Sequence, residues 1–350
     1  MRSVFHLLFK DFSLCLSVLF LIIFSVVILV SLDKPLFPLY FVYIIVALIA
    51  FWFFSQIDFD IISLFSRHFY IVSVVLLLLT LIIGRVTRGT FRWIALGPLS
   101  LQPAEIIRPF LLVFFAVYMT KGEINVNKIL KSLGLLIVPV ILILVQPSLG
   151  VSILTIVGFT GVLIATKFNK KYLLIGLGSV IILLPLLWSL LASYQKQRIL
   201  TFLNPSSDPL GAGYNSLQSV IAAGSGRLFG TGLGKGVQTQ LAFLPEKQTD
   251  FIFAATAEEL GMIGAGLILL VSFVILFRLI HFMENAVSPA ARAYISGFFL
   301  TYLVQVFIHV GMNMGMLPIT GIPFPLLSAG GSSLLATTIG LGIALGAYKR

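Results

Sequence analysis

The chain has 350 residues, 59% of them hydrophobic and only 10% charged, with a mean hydropathy of +1.10. That apolar excess excludes a soluble globular enzyme, and a single cysteine, Cys15, excludes a disulfide framework or a cysteine-rich zinc site. The formal charge of +11 does not indicate nucleic acid, because the basic residues fall into alternate loops.

Apolar runs long enough to cross a bilayer as helices are predicted at roughly 12–32, 36–56, 69–84, 104–120, 132–146, 150–166, 172–193, 251–277, 292–316 and 326–347. The first follows Arg2 and Lys10 but is long, lacks a small-residue cleavage site and precedes further spans, so it reads as an anchor. The expected fold is an all-α integral membrane protein of about ten transmembrane helices in one domain, 1–350, with both termini cytoplasmic. One long outer loop, about 194–250, joins helices 7 and 8. This orientation puts Arg67, then Lys121, Lys128 and Lys131, then Lys167, Lys170 and Lys171, then Arg278 and Arg292, and finally Lys349 and Arg350 on the inner side. There they serve as topology signals beside anionic membrane lipids.

Two outer segments depart from the rule. One carries Arg85, Arg88, Arg92 and Arg108; the other carries Lys196, Arg198, Arg227, Lys235 and Lys247. Positive charge on the outer face opposes translocation, whereas a phosphate-bearing ligand at that surface accounts for it. Within the long loop, YNSLQSVIAA (214–223) has helical apolar spacing and predicts a short amphipathic helix on the membrane surface, with DPLGAGY and GSGRLFGTGLGKG as turns. GTGLGKG lacks the spacing and the Lys-Ser/Thr ending of an ATP-binding loop.

Acidic residues number only 12, yet FLPEKQTDFIFAATAEELG (243–261) holds Glu246, Asp250, Glu258 and Glu259. Thr249 or Asp250 is placed to cap the eighth predicted helix, and a carboxylate held there beside cations suits a general base acting on a hydroxyl. Glu258 and Glu259 fall about 12–14 Å further along a continuous helix, where they form either a structural hydrogen-bonded network or a proton relay. QPAEIIRP sets Glu105 and Arg108 on one helix face, as a functional ion pair or a structural bridge. Arg92 is a candidate phosphate clamp and Trp93 an interfacial anchor. The histidines, His6, His68, His281 and His309, form no metal-ligand pattern, and His309 reads as a hydrogen-bonded core residue. Gly311–Gly315 and Gly342–Gly346 read as close helix packing.

Four long motifs carry a family resemblance: RWIALGPLSLQPAE (92–105), FLNPSSDPLGAGYNSLQSVIAAGSG (202–226), FLPEKQTDFIFAATAEELG (243–261) and GMLPITGIPFPLLSAGGSS (315–333). In these the chain resembles the SEDS proteins (shape, elongation, division and sporulation), the RodA/FtsW/SpoVE group of peptidoglycan glycosyltransferases, and leans towards the RodA branch. The resemblance implies polymerisation of lipid II into β-1,4 glycan strands at the outer face of a bacterial cytoplasmic membrane, with a class B penicillin-binding protein as partner. It matches Asp250 to the family's essential aspartate, Glu105 and Arg108 to its glutamate and basic residue, and Arg92 and Trp93 to its RW pair. Three positions depart from the family pattern: Arg108 replaces a usual lysine, Ser148 an aspartate, and Ala329 a tyrosine.

With that chemistry, Asp250 is the expected base. Arg92, Arg108, Arg198, Arg227, Lys235 and Lys247 are the candidates for the diphosphates, and Glu246, Glu258 and Glu259 the polar lining. A divalent cation, Mg or Mn, is a further candidate, without a dedicated ligand set in the sequence. The rival classes are a flippase for the lipid-linked precursor, which needs polar groups open to both faces, and a scaffold that would not need Asp250.

Overall fold

The structure, a computed structural model, describes residues 11–348 except 88–89, 167–170, 205–211 and thirteen positions scattered between 173 and 192. Arg2, His6, Lys10, Arg88, Lys167, Lys170, Lys349, Arg350, part of the seventh predicted helix and most of the DPLGAGY turn lie outside the described residues.

Helices dominate, and most fall where the apolar runs put them: α1 (Phe12–Leu32), α2 (Leu39–Gln56), α3 (Phe59–Leu64) and α4 (Ser66–Ile83), then α5 (Pro103–Ile106) and α6 (Arg108–Thr120). They are followed by α7 (Val126–Val145), α8 (Leu149–Ala165), α9 (Ser193–Leu203), α10 (Ala212–Ser225), α11 (Val237–Gln240), α12 (Ile252–Glu284), α13 (Pro289–Asn313) and α14 (Gly331–Gly346). Among the described residues, seven helical stretches are long and apolar enough to cross a membrane (α5 and α6 together forming one of them), and α8 and α14 are shorter apolar helices. The chain is a multi-pass integral membrane protein. The end carrying residues 194–250, assigned to the outside by the charge pattern, is called the outer end below.

The purely helical expectation misses a small sheet. Residues 85–101 form three antiparallel strands, β1 (Arg85–Thr87), β2 (Thr90–Leu96) and β3 (Leu99–Leu101), with Ile94 opposite Leu101 and Ala95 opposite Ser100. The β-branched and aromatic run TFRWIAL favours a strand, and Gly97 (φ 64°) with Pro98 turns the chain back. Tyr43 on α2 clasps β3, its hydroxyl accepting from Ser100 N and donating to Ser100 O, each at 2.8 Å.

Burial is uneven. Every residue of α14 is buried except Leu335, which is half-buried, and this helix packs most extensively on α2. Gly342 and Gly346 permit that approach: a Cβ at 346 would stand 2.4 Å from the Ile57 carbonyl and one at 342 would stand 2.8 Å from that of Phe51. The Gly311–Gly315 pair, expected to behave alike, does not. Gly315 has φ 69° in the turn after α13, and the space at Gly311 is taken by Leu317 folding back. The last helix begins five residues later than its predicted 326, because residues 320–330 form an irregular loop inside the bundle, with Ile322, Phe324, Leu326 and Leu327 buried.

The eighth predicted span, α12, is two helices in one. Its 33 residues would reach about 50 Å, against a hydrocarbon core of about 30 Å. Gly261 breaks it with φ 69° and ψ −167°, a conformation open essentially to glycine alone. Phe251–Glu259 is entirely buried, whereas Met262 and Ile263, just past the break, are 63% and 55% exposed, as lipid-facing side chains are. The part with lipid-facing side chains therefore begins at Met262.

At the inner end, Asp11 caps α1 by accepting from Leu14 N at 2.7 Å and forms a salt bridge with Arg278 of α12. Arg278 thus has a structural partner that its reading as a topology signal did not include. Lys128 likewise donates to the Met119 carbonyl at the end of α6, at 3.2 Å.

Candidate active site at the outer end

The site is assembled by the irregular loop 320–330. Buried loop backbone inside a membrane bundle must find protein partners, and two helices supply them. Gln305 of α13 donates to Pro323 O at 2.9 Å, the His309 ring meets Ile322 O at 2.7 Å, and Ser25 of α1 donates to Leu327 O at 2.5 Å. His309 is the hydrogen-bonded core residue its context suggested.

The loop in turn grips the segment carrying Asp250. Ser328 Oγ donates to Thr249 O at 2.8 Å and Ala329 N to Gln248 O at 2.9 Å. Because Ala329 acts through its backbone, the family's tyrosine side chain is not needed for this bond. From the other side Asn313, the last residue of α13, donates to Asp250 O at 2.9 Å and accepts from Ala254 N at 3.0 Å. Asn313 thus provides the cap expected of Thr249 or Asp250; Phe251, not either of these, occupies the N-cap position, and it makes no side-chain cap. The Asp250 side chain is half-buried, with its Oδ2 about 3.6 Å from where a Cβ on Gly321 would lie.

Glu105 and Arg108 are 5% and 6% exposed, deep enough that each needs polar partners. They straddle a short irregularity at Ile107, where Pro109 cannot donate to the Glu105 carbonyl. Glu105 feels the charge of Arg108 and of Asp250, which brings the three predicted catalytic residues into one electrostatic neighbourhood. Arg108 Nη1 reaches Gln305 Oε1 at 3.4 Å, and its Nε is buried without a partner among the described residues; the residue borders a small cleft with Leu112, Thr301 and Thr337. One turn before Glu105, Gln102 donates to Ser148 at 3.3 Å, so the serine in the aspartate's place retains an acceptor but no charge.

The remaining candidates are more dispersed. Arg92 and Trp93 are half-buried on β2. Arg198 on α9 is exposed and donates to Ile319 O at 3.2 Å, next to the gripping loop. Lys247 donates to Thr239 O, and Glu246 accepts from Thr249 Oγ1 at 3.2 Å, forming the turn that precedes Asp250. Arg227 and Lys235 are exposed on the loop 226–236.

That loop is where Glu258 and Glu259 act. Their carbonyls accept from Thr231 N (2.9 Å) and Gly232 N (3.0 Å), while Met262 N and Ile263 N donate to Arg227 O (2.8 Å) and Leu228 O (3.2 Å). The backbone groups freed by the break are thereby satisfied. The Glu258 carboxylate accepts from Gln238 N and Thr239 N at 2.8 and 3.0 Å; that of Glu259 accepts from Ser31 Oγ at 2.6 Å and Gln240 Nε2 at 2.9 Å. Ser31 is the penultimate residue of α1, so these carboxylates lie level with the outer end of a span rather than deep inside the membrane. The depth expected from a continuous helix is corrected by the break. These contacts are those of a hydrogen-bonded network that ties loop 226–236 and α11 to α1 and α12.

The fold and this geometry define a polytopic membrane protein with a carboxylate–guanidinium cluster at its outer end. The chain matches the profile of the FtsW/RodA/SpoVE family, described as cell cycle proteins, over residues 5–349, and it belongs to that family. It is 38% identical over 287 residues to the peptidoglycan glycosyltransferase MrdB of Escherichia coli (strain K12), covering 80% of this chain and 76% of that protein. It is 36% identical over 290 residues to a probable peptidoglycan glycosyltransferase FtsW of Buchnera aphidicola subsp. Baizongia pistaciae (strain Bp), covering 79% and 74%. Among solved structures it resembles a chain of a peptidoglycan synthase complex that coordinates polymerization and crosslinking, with TM-score 0.82, 29% identity and 96% of each chain covered. It also resembles the rod shape determining protein RodA of Thermus thermophilus, with TM-score 0.72, 26% identity and coverage of 97% and 98%.

Proposed function

We propose that this chain is a peptidoglycan glycosyltransferase that polymerises lipid II at the outer face of the cytoplasmic membrane, in the manner of the elongation branch, with Asp250 as general base. The observation that carries the reading is that loop 320–330 ties both parts of the site together at the end of the bundle bearing the unexplained positive charge: it holds the Asp250 segment through Ser328, and Gln305, which bonds its Pro323 carbonyl, also meets buried Arg108. Asp250 takes the proton from the acceptor sugar's 4-hydroxyl. That oxygen attacks the donor's anomeric carbon from the face opposite the α-linked diphosphate, the bond to the diphosphate breaks, and a β-1,4 linkage results by single inversion. Arg108 stabilises the departing charge through charge-assisted bonds, with Arg92 and Arg198 as further candidates to assist. Among the described residues no three His, Cys, Asp or Glu side chains gather to hold a metal ion, so no step is routed through Mg or Mn. A class B penicillin-binding protein as partner is supported by the synthase-complex neighbour.

Purified protein supplied with lipid II in detergent is expected to yield glycan strands resolved on a gel. Translocation of lipid II without strand formation overturns the reading in favour of a flippase. Substitutions at two positions probe the surroundings of the base. Arg108→Lys, which restores the family's usual residue, retains most activity, whereas Arg108→Ala lowers the rate by about 10²–10³-fold. Asn313→Ala, which frees the Asp250 backbone, lowers kcat by up to about 10²-fold with KM unchanged, as misplacement of a reacting group does. Ser219→Ala, which removes only a bond to the Asn313 carbonyl, is the control expected to leave kcat near wild type.

A further inference from the structure

We infer that residues 212–243 form a collar that lies in the outer leaflet of the membrane, with apolar side chains among the acyl chains and Arg227 and Lys235 at the phosphate level. The first observation is an inverted pattern on α10. Its buried positions are the small residues Gly213, Ser219 and Ala222, while Leu217, Val220 and Ile221 are exposed. A helix facing water shows the opposite arrangement. This amphipathic helix was legible in YNSLQSVIAA, but its continuation was not. Beyond it, Leu228 and Phe229 are 52% and 79% exposed, and Leu241 is 64% exposed.

The second observation fixes the level of this apolar surface. Loop 226–236 bonds directly to Met262 and Ile263, where the lipid-facing stripe of α12 begins; the stripe continues through Leu270, Phe273 and Phe277, all exposed. The end of α11 is tied to α1, with Gln240 Nε2 donating to the carbonyl of Ser31 at 3.2 Å. The collar thus continues an existing lipid-facing surface at the height where two spans emerge. Amphipathic segments seat their apolar side at that boundary and their Lys and Arg at the headgroups. Exposed Arg227 and Lys235 meet the charge requirement of phospholipid phosphates. The occupant is therefore the bilayer in which the protein already sits, and the inference does not depend on the proposed catalysis.

Spin labelling tests it, since Cys15, the one cysteine of the chain, is easily replaced. In a Cys15→Ala background, labels are attached to Phe229→Cys, Leu241→Cys and Leu217→Cys in phospholipid nanodiscs, with Phe273→Cys as lipid reference and Glu123→Cys as water reference. The ratio of oxygen to nickel-chelate accessibility at 217, 229 and 241 is expected to lie between those at 273, about 16 Å deeper along α12, and at 123, exceeding the latter several-fold. Variants that elute as monodisperse particles are folded, and the labels at 273 and 123 set the lipid and water scale, so a water-like ratio at 229 and 241 overturns the collar. Protection that arises only after a transpeptidase is added also overturns it, and assigns the surface to a protein partner.

Discussion

Asp250→Asn is expected to lower the rate of strand formation by about 10²–10⁴-fold, the contribution of a positioned general base. The substitution is nearly isosteric, and the bonds that place this segment use backbone atoms: Asp250 O to Asn313, Thr249 O to Ser328 and Gln248 O to Ala329 N. The fold should therefore survive, and thermal stability in detergent should stay close to wild type. Lipid II should still bind, since the cations are untouched. Time courses of polymerisation with matched protein amounts decide the matter. A variant that polymerises at the wild-type rate removes Asp250 from the chemistry.

The largest structural effect is expected at Gly261. Any side chain there meets two independent penalties. The conformation at φ 69° and ψ −167° costs about 1–3 kcal/mol for a non-glycine residue, and a Cβ would stand 2.3 Å from Gly230 N and 2.4 Å from Leu228 O. Both contacts are backbone, in the loop that satisfies the broken helix, so relief of the clash exposes amides that have no other partner at the membrane boundary. Gly261→Val should cost more than about 4 kcal/mol, the range kept for disrupted cores and special backbone sites, and little folded protein should reach the membrane. Gly266→Ala, five residues along the same helix with open space around it, should stay within about 1 kcal/mol of wild type. Fluorescence-detected size exclusion after heating compares the two. Equal melting of both variants contradicts the account of the break.

The membrane-spanning plan was largely legible, because apolar periodicity and length report directly on helices facing lipid. The outer end was less so, because it is organised by single hydrogen bonds between segments far apart in sequence. Asp250, Glu105 and Arg108 stood out as charges in an apolar chain. Asn313, Gln305 and Ser328, which hold the frame around them, did not, since buried amides and hydroxyls are common in such bundles. Two signals were nevertheless present. Gly261 falls two residues after the pair Glu258–Glu259, a glycine within a helical run that marks a possible helix end, and PITGIPFP interrupts an apolar stretch with three prolines. The sheet was signalled by TFRWIAL before Gly-Pro, but its arginines drew the reading towards charge instead of strand propensity.

The enclosure of α14 bears on how the protein is made. This helix has hardly any lipid-facing side chain, and its sequence GSSLLATTIGLGIALG is rich in small residues that fit only against protein. It is also the last of the described helices to leave the ribosome. Earlier spans must therefore wait in the bilayer with their inner faces unsealed until this central pillar arrives, and the gripping loop just before it, with the Asp250 segment it secures, is set at the same moment.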